Sequence, residues 1–211
     1  MTATTMTSTR FWDQTADKYS KQPIKDEKTY ARKLTDTQRL MRQDMKVLEF
    51  GCGTGSTAIA HSGHVAHIDA TDFAPEMINI ARQRAAETGT TNVNFQVAGV
   101  EDFNAAPGSY DMVLMLNLLH LVPDRQAALK KAYSLLKPGG YLVTSTVCLK
   151  DGMFLFRLLI PLMRMVGKAP YVDFVKSTEM LDAFEGTGFA TTTQWTHGRG
   201  MVLFHIGQKP A

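Results

Sequence analysis

The sequence K-V-L-E-F-G-C-G-T-G, residues 46–55, decides the fold of this chain. It begins with a short apolar run that contains a single acid, Glu49. Three glycines follow at alternate positions: Gly51, Gly53 and Gly55. An apolar run that leads into glycines predicts a buried strand and a tight turn. Because glycine accepts positive φ and has no Cβ, such a turn lets another molecule approach the main chain.

The residues after the turn, Ser56 to Ala60, predict a helix whose free N–H groups point back at the loop. A strand, a bare turn and a helix start are typical of nucleotide-binding sites. The dinucleotide fingerprint G-x-G-x-x-G would need glycine at position 56, which is serine. A phosphate-binding P-loop would need a lysine after Gly55, and none is present.

With an acid two residues before the first glycine, E-x-G-x-G-x-G resembles the signature of class I S-adenosylmethionine-dependent methyltransferases. The resemblance implies S-adenosyl-L-methionine as the cofactor, with Glu49 near its methionine amino group. It implies that the turn, including Cys52, lies against the cofactor. It also implies an α/β, Rossmann-like doubly wound sheet.

Composition agrees with one α/β domain. The chain has 211 residues, 44% hydrophobic and 20% charged, which is enough for one full core. The net charge of +3 is too small to indicate nucleic acid as a partner. Two cysteines cannot form a disulfide framework, so we expect a reducing, cytoplasmic location. No apolar stretch reaches the ~20 residues that a membrane span needs, and we predict no metal site.

Residues 1–45 predict a polar, helical N-terminal extension, and residues 46–211 predict the methyltransferase domain. The first ten residues, rich in Thr and Ser, are interpreted as a disordered lead. Ala16-Asp17-Lys18-Tyr19 is similar to the A-x-x-Y element of ubiquinone and menaquinone C-methyltransferases. That resemblance implies that Tyr19 contributes to the cofactor pocket. The alternative is that Tyr19 only packs the extension onto the domain.

The next motif is a predicted strand over residues 65–72 that ends on an acid, Asp72. A carboxylate about twenty residues beyond the glycine turn is where the ribose hydroxyls bind in a βαβ nucleotide site. The following run, D-F-A-P-E-M-I, resembles the second motif of the family. The resemblance implies that Phe73 and Met77 flank the adenine, although a methionine on a helix face is also typical of a core.

A third strand is predicted over residues 93–98, and Gly99, Val100 and Glu101 follow it. Members of the family usually carry an acid directly after this strand that binds the adenine amino group. Here Gly99 occupies that place, and the acid comes later. The N–H of Val100 is the alternative contact to the adenine ring, and Glu101 is either a contact or a solvated residue at a helix start.

Residues 110–117 predict a fourth strand, almost continuously apolar, as in parallel sheets covered on both faces. The resemblance implies that the residues after it face the methyl group, which makes Asn117 and His120 the candidates for substrate contact, with Asn117 also beside the cofactor. A histidine suits proton removal at neutral pH, so His120 is a candidate general base. The alternative is that His120 packs the loop.

A helix is predicted from Asp124 to the sequence K-P-G-G at 137–140, followed by a fifth strand over 141–147. Alternating strands and helices predict a mostly parallel sheet. Residues 189–196 and 201–207 predict a closing antiparallel hairpin. Such a hairpin separates class I methyltransferases from dehydrogenases.

Residues 150–175 interrupt this pattern and predict a helical insertion. On a helix, Arg157, Arg164 and Lys168 fall within roughly forty degrees of one another, and the other faces are apolar. The position favours a lid over the substrate pocket. Peripheral membrane contact through residues 153–168 is the other interpretation, and the two are compatible.

These patterns predict a methyltransferase that acts on a small, apolar acceptor. The first alternative is a protein that keeps the cofactor pocket but has lost the chemistry and serves as a sensor or scaffold. A nicotinamide oxidoreductase is a third hypothesis, weakened by Ser56 and the closing hairpin. The methylated atom and the oligomeric state stay open at this point.

Overall fold

The computed structural model describes residues 3–152, 156–165 and 168–211, and the side chains of 8–152, 159–164 and 168–211. The helices are α1 (Ala3–Ser20), α2 (Glu27–Gln38), α3 (Ser56–Ser62), α4 (Pro75–Glu87), α5 (Arg125–Leu135), α6 (Phe156–Met165) and α7 (Ser177–Thr187). The strands are β1 (Lys46–Phe50), β2 (His67–Asp72), β3 (Val93–Val97), β4 (Tyr110–Leu116), β5 (Leu136–Val147), β6 (Ala190–His197) and β7 (Val202–Gln208).

The seven strands form one sheet in the order β3-β2-β1-β4-β5-β7-β6. Strands β1 to β5 are parallel, and β7 is antiparallel to both β5 and β6. This confirms the predicted doubly wound sheet with a C-terminal antiparallel hairpin. The strand order reverses between β1 and β4, which is the point where ligands bind in open α/β sheets.

Each face of the sheet carries its own apolar core. On one face, Leu48 and Phe50 of β1 pack with α5 and α7 through residues such as Leu129 and Phe184. On the other face, Val47 packs with α3 and α4. Side chains alternate along a strand, so Glu49 shares the face of Val47. An acid therefore stands on a buried face, at the end of the strand that feeds the glycine turn.

Two sequence predictions about element boundaries are wrong. Residues 3–10 are not a disordered lead, because α1 begins at Ala3 and its Ala16 packs on Ala74 and Met77 at the start of α4. Strand β5 begins at Leu136 and not at Tyr141, since the K-P-G-G sequence lies within it. The N–H of Gly139 donates to the carbonyl of Lys209, 2.9 Å away, and this distant pairing extends the strand.

Candidate active site

A cavity of about 680 Å³ lies at the carboxyl ends of β1, β2 and β4. Its walls come from the glycine turn, the two strand ends beside it and the N-terminal segment. The lining residues are Trp12, Tyr19, Gln22, Pro23, Ile24, Lys25, Tyr30, Glu49, Gly51, Cys52, Gly53, Thr54, Ser56, Thr57, Asp72, Phe73, Met77, Leu116, Asn117, Leu118, His120, Leu121 and Pro170.

The three glycines of the turn have positive φ, but they serve different purposes. Their φ values are 66°, 54° and 78° for Gly51, Gly53 and Gly55. A Cβ on Gly53 would meet only a ring carbon of Tyr19, 4.0 Å away, so its bare backbone faces open space. A Cβ on Gly55 would lie 2.9 Å from Ala81, and Gly55 does not line the cavity. The predicted contact surface is therefore centred on Gly53, whereas Gly55 lets α4 pack closely.

Glu49 is a buried acid that faces the cavity. Its side chain is 2% exposed, and its Oε2 has no hydrogen-bond partner among the described residues. Burial, and then the negative charge of Asp72, raise the pKa of Glu49 to about 8. Buried polar atoms are normally paired. The unpaired carboxyl oxygen therefore fits a ligand that carries a positive or hydrogen-bond-donating group.

Asp72 stands at the end of β2 and closes the same turn. Its Oδ2 accepts the N–H of Gly53 at 3.0 Å, and its Oδ1 accepts the N–H of Ala74 at 2.9 Å. Burial raises its pKa and outweighs the lowering effect of these hydrogen bonds. Each carboxylate oxygen can still accept a further hydrogen bond, as ribose hydroxyls would require.

Four further predicted cofactor residues line the cavity: Tyr19, Cys52, Phe73 and Met77. The ring of Tyr19 is 47% exposed and lies edge-on to Trp12, with 6.0 Å between ring centroids. Burial, Glu49 and Asp72 hold the pKa of the Cys52 thiol well above its usual value, so this thiol stays protonated at neutral pH. Tyr19 thus lines the cavity and also packs against Trp12 within α1.

The structure does not bring the third predicted motif into the cavity wall. Gly99, Val100 and Glu101 lie outside the set of lining residues. Val100 packs against the core on the α5 and α7 side, and Glu101 is exposed. The family usually has an acid where this chain has Gly99. In agreement with that difference, residues 99–101 contribute no carboxylate to the cavity wall.

The other end of the cavity holds both candidates for substrate contact, Asn117 and His120. Asn117 has φ 55°, and its Oδ1 accepts the hydroxyl of Ser145 at 3.2 Å. His120 is 9% exposed, and its Nδ1 is buried without a hydrogen-bond partner in the described ranges. Burial lowers the pKa of His120 to about 4, so the imidazole is neutral at pH 7.

Sequence reasoning missed the contribution of α2 and of the segment before it. Residues 22–25 and Tyr30 line the cavity. Burial is the main cause that raises the pKa of Tyr30, and the charge of Glu49 adds to it. The available sequence signal was Pro23, which marks a break between two helical segments. The connection between α1 and α2 at this break lines the cavity.

The predicted lid over residues 150–175 contributes one described residue to the cavity wall, Pro170. Leu159 and Leu162 of α6 are 47% and 62% exposed. The guanidinium of Arg164 lies 5.1 Å from the ring centroid of Tyr171, and Lys168 is exposed. The side chain of Arg157, the third member of the predicted basic stripe, lies outside the described residues. None of the helices in the described ranges has the length and apolar character needed to cross a bilayer.

Comparisons with known proteins agree with this geometry. Residues 47–140 match the family described as "Methyltransferase domain". The chain is 37% identical over 149 residues to the ubiquinone biosynthesis O-methyltransferase of Xanthomonas euvesicatoria, an alignment that covers 67% of this chain and 61% of that relative. The chain thus spans less than two thirds of the relative's length.

Solved structures show the same fold. A Thermotoga maritima protein described as a S-adenosylmethionine-dependent methyltransferase, possible histamine N-methyltransferase, superposes with a TM-score of 0.69 at 22% identity, covering 95% of this chain and 99% of that one. The [4+2]-cyclase SpnF superposes with a TM-score of 0.72 at 14% identity, covering 85% and 80%. The same fold thus occurs in a cyclase, so fold alone does not decide the reaction.

The sheet order and the glycine turn define a class I, Rossmann-like methyltransferase fold. Together with the family match, they show that residues 47–140 form a class I S-adenosylmethionine-dependent methyltransferase domain. S-adenosyl-L-methionine is the cofactor of this class.

Proposed function

We propose that this chain is an enzyme that transfers a methyl group from S-adenosyl-L-methionine to an oxygen of a small, largely apolar acceptor, of the phenol type. The observation that carries the proposal is Glu49, whose buried and unpaired carboxyl oxygen faces the cavity beside the bare backbone of Gly53. An amino acid ammonium group would give that oxygen its missing partner. A sensor of the same cofactor would share both features, and methyl transfer in the turnover assay below distinguishes the enzyme from it.

Three parts of the chain would hold the cofactor. Glu49 would bind the methionine ammonium group of the cofactor. The bare main chain of Gly53 would lie against the cofactor, and Asp72 would accept hydrogen bonds from its ribose hydroxyls. When bound, the cofactor supplies a methyl group already activated by its sulfonium. The protein therefore has to align the acceptor and keep water away, which requires few catalytic residues.

The acceptor end of the cavity supports an apolar molecule. Leu116, Leu118, Leu121 and Pro170 line it beside Asn117 and His120. The related enzyme from Xanthomonas is named an O-methyltransferase, which makes oxygen the first choice of methylated atom. A phenol hydroxyl ordinarily has a pKa of about 10, as in tyrosine, and the imidazole of His120, with a pKa of about 4, is too weak a base to ionise it in advance. It would take the proton as the methyl–oxygen bond forms, because the attacking oxygen then becomes strongly acidic.

Two measurements test the proposal. S-adenosylhomocysteine should raise the melting temperature of the purified chain, whereas NAD should not. Turnover should then be followed by mass spectrometry with the matched probes 4-butylphenol, 4-butylaniline and 4-butylthiophenol. We expect the phenol to be methylated fastest. Stabilisation by NAD alone, or faster turnover of the aniline or the thiophenol, would contradict the proposal.

The ribose contact can be tested by itself. Asp72→Ala should weaken the binding of S-adenosylhomocysteine by about 1–3 kcal/mol, since it leaves polar groups of the cofactor without partners. Asp102→Ala is the matched control, because Asp102 is exposed and lies outside the cavity wall. Calorimetry measures both. Equal affinities for the two variants would refute the ribose assignment.

The remaining proposals concern the cellular location, the class of substrate, and the role of residues 150–175. The free cysteines Cys52 and Cys148 favour a reducing, cytoplasmic location, and the small net charge favours a small-molecule substrate over nucleic acid. Residues 150–175 are proposed as a lid, and the exposed leucines of α6 support peripheral membrane contact through 153–168. Sedimentation with lipid vesicles tests that contact.

A further inference from the structure

A lysine far from the catalytic motifs is connected to the acceptor end of the cavity. Lys33 of α2 is half-buried, and its Nζ donates a hydrogen bond to the Oγ of Ser145 at 2.7 Å. Ser145 lies on β5, is fully buried, and pairs with Leu116 at the end of β4. The lysine is therefore held against the strand end that carries Asn117.

Helix α2 is fixed in this position by the C-terminal hairpin. The guanidinium of Arg32 lies 4.1 Å from the ring centroid of Trp195, and the indole N–H of Trp195 donates to Asp36 at 3.0 Å. Both contacts flank Lys33 on the same helix. They hold the ammonium group at the sheet without involving the cofactor end.

The chemistry of the three groups fixes the direction of the hydrogen bonds. An ammonium group only donates, so the Oγ of Ser145 accepts from Lys33 and its own proton is free for another acceptor. That acceptor is the Oδ1 of Asn117, at 3.2 Å. The carbonyl of the Asn117 amide is thereby engaged, and its NH₂ group is left as a donor to the cavity.

The main chain of Asn117 is already fixed by other interactions. Its N–H donates to the carbonyl of Ser145 at 2.7 Å, and its φ of 55° is the left-handed conformation that asparagine tolerates. The orientation of the amide is what the Lys33–Ser145 pair decides. Without the lysine, the serine hydroxyl could accept from the amide as readily as donate to it.

We propose that Lys33 is a positioning residue that acts through Ser145 to turn the NH₂ group of Asn117 towards the oxygen of the methyl acceptor. The inference rests on the proposed function, because it requires an acceptor oxygen that accepts hydrogen bonds. A hydrogen bond from Asn117 orients that oxygen and leaves it a lone pair for the methyl group. No bond in the reaction is made or broken by Lys33.

The direct test observes the Asn117 side-chain amide by ¹⁵N–¹H NMR in the presence of S-adenosylhomocysteine, with the resonances assigned by Asn117→Asp. At pH 6.5 Lys33 is charged, since its pKa is lowered by burial only to about 8, against the opposing effect of Asp26. The pKa of the neighbouring His197 is lowered by burial and by Lys33. We expect K33M and S145A to shift the Asn117 resonances by similar amounts and K33R to leave them near their original positions.

The double variant K33M/S145A should shift the Asn117 resonances no further than either single variant does, because the effects of substitutions within one hydrogen-bond network are not additive. If K33M does not fold, S145A breaks the same relay from its other side. Resonances of Asn117 that do not move in K33M or S145A would overturn the proposal.

Kinetics provide a second readout that separates positioning from a structural role. With 4-butylphenol as the probe, K33M should lower kcat by about 3- to 10-fold, the effect of one lost hydrogen bond. K33R should restore most of it, and the affinity for S-adenosylhomocysteine should stay within about twofold in every variant. A parallel loss of cofactor affinity would show that Lys33 is structural and overturn the inference. Failure of the unmodified chain to bind S-adenosylhomocysteine would instead count against the proposed function, and the NMR experiment without that compound would still report on the relay.

Discussion

The two ends of the cavity are built in different ways. The cofactor end comes largely from residues 46–77, a continuous piece of chain in which a strand, a glycine turn and a second strand follow one another, with Tyr19 of α1 added to it. The acceptor end combines β4 with α2, and its Asn117 is linked to Lys33 through Ser145, 112 residues away from that lysine. Local motifs therefore identify the cofactor, whereas the acceptor depends on contacts that only the fold creates.

The largest effect is expected from His120→Ala, which breaks the acceptor end and leaves the cofactor end intact. Loss of a general base lowers the rate by about 10²-fold or more. Single-turnover kinetics with 4-butylphenol should show this loss, while calorimetry should show unchanged affinity for S-adenosylhomocysteine. His64→Ala is the matched control, because His64 is exposed and lies outside the cavity wall. An unchanged rate in the His120 variant would mean that this imidazole only packs the loop.

The same division explains how far sequence reasoning reaches. The glycine turn, the acid at Asp72 and the closing hairpin were predictable because each depends on neighbouring residues and on strand and turn chemistry. The start of β5 was not, since Gly139 and Gly140 pair with Lys209, about 70 positions along the chain. Glycine and proline between a helix and a strand predict a turn, and tertiary pairing overrides that preference.

The site divides in the same way. Glu49 and Asn117 could be found from motifs, but the unpaired oxygen of Glu49 and the Lys33–Ser145 pair are visible only in the fold. A lysine on a polar helix has no distinguishing sequence signal, because most such lysines lie in solvent. The third motif shows the reverse case, in which a family pattern predicts contacts at Gly99 to Glu101 that the cavity wall does not contain.

A second prediction sharpens the comparison from the cofactor end. Glu49→Gln should weaken S-adenosylhomocysteine binding by about 10- to 100-fold at pH 8.5, the range for a hydrogen bond to a charged group. It should also stabilise the free protein, because a neutral amide avoids placing a carboxylate in a buried position beside Asp72. Glu101→Gln is the control, since Glu101 was a predicted contact but is exposed outside the cavity wall. A loss of affinity in the control would restore the third motif to the site.

The smallest expected effect is the pH dependence of cofactor binding. It distinguishes the two ends of the cavity because Glu49, at the cofactor end, releases a proton on binding, whereas His120, at the acceptor end, does not. In the free protein, Glu49 holds its proton below its pKa of about 8, which is raised from 4.5 by burial and by Asp72. The bound ammonium group favours the carboxylate, so binding below pH 8 releases a proton and affinity rises with pH, by at most about tenfold per unit.

The contribution of Glu49 to the stability of the free protein changes with pH in the opposite direction to the affinity. Between pH 4.5 and about 8 the folded protein binds more protons at Glu49 than the unfolded chain does, so this contribution to stability is present at low pH and is lost as pH rises to about 8. Calorimetry of S-adenosylhomocysteine binding in buffers of different ionisation enthalpy counts the released protons. In Glu49→Gln the release should vanish, whereas in His120→Ala it should persist, because His120, with a pKa of about 4, is already neutral at pH 7. Binding without proton release at pH 7 in the unmodified chain would remove Glu49 from the cofactor contact.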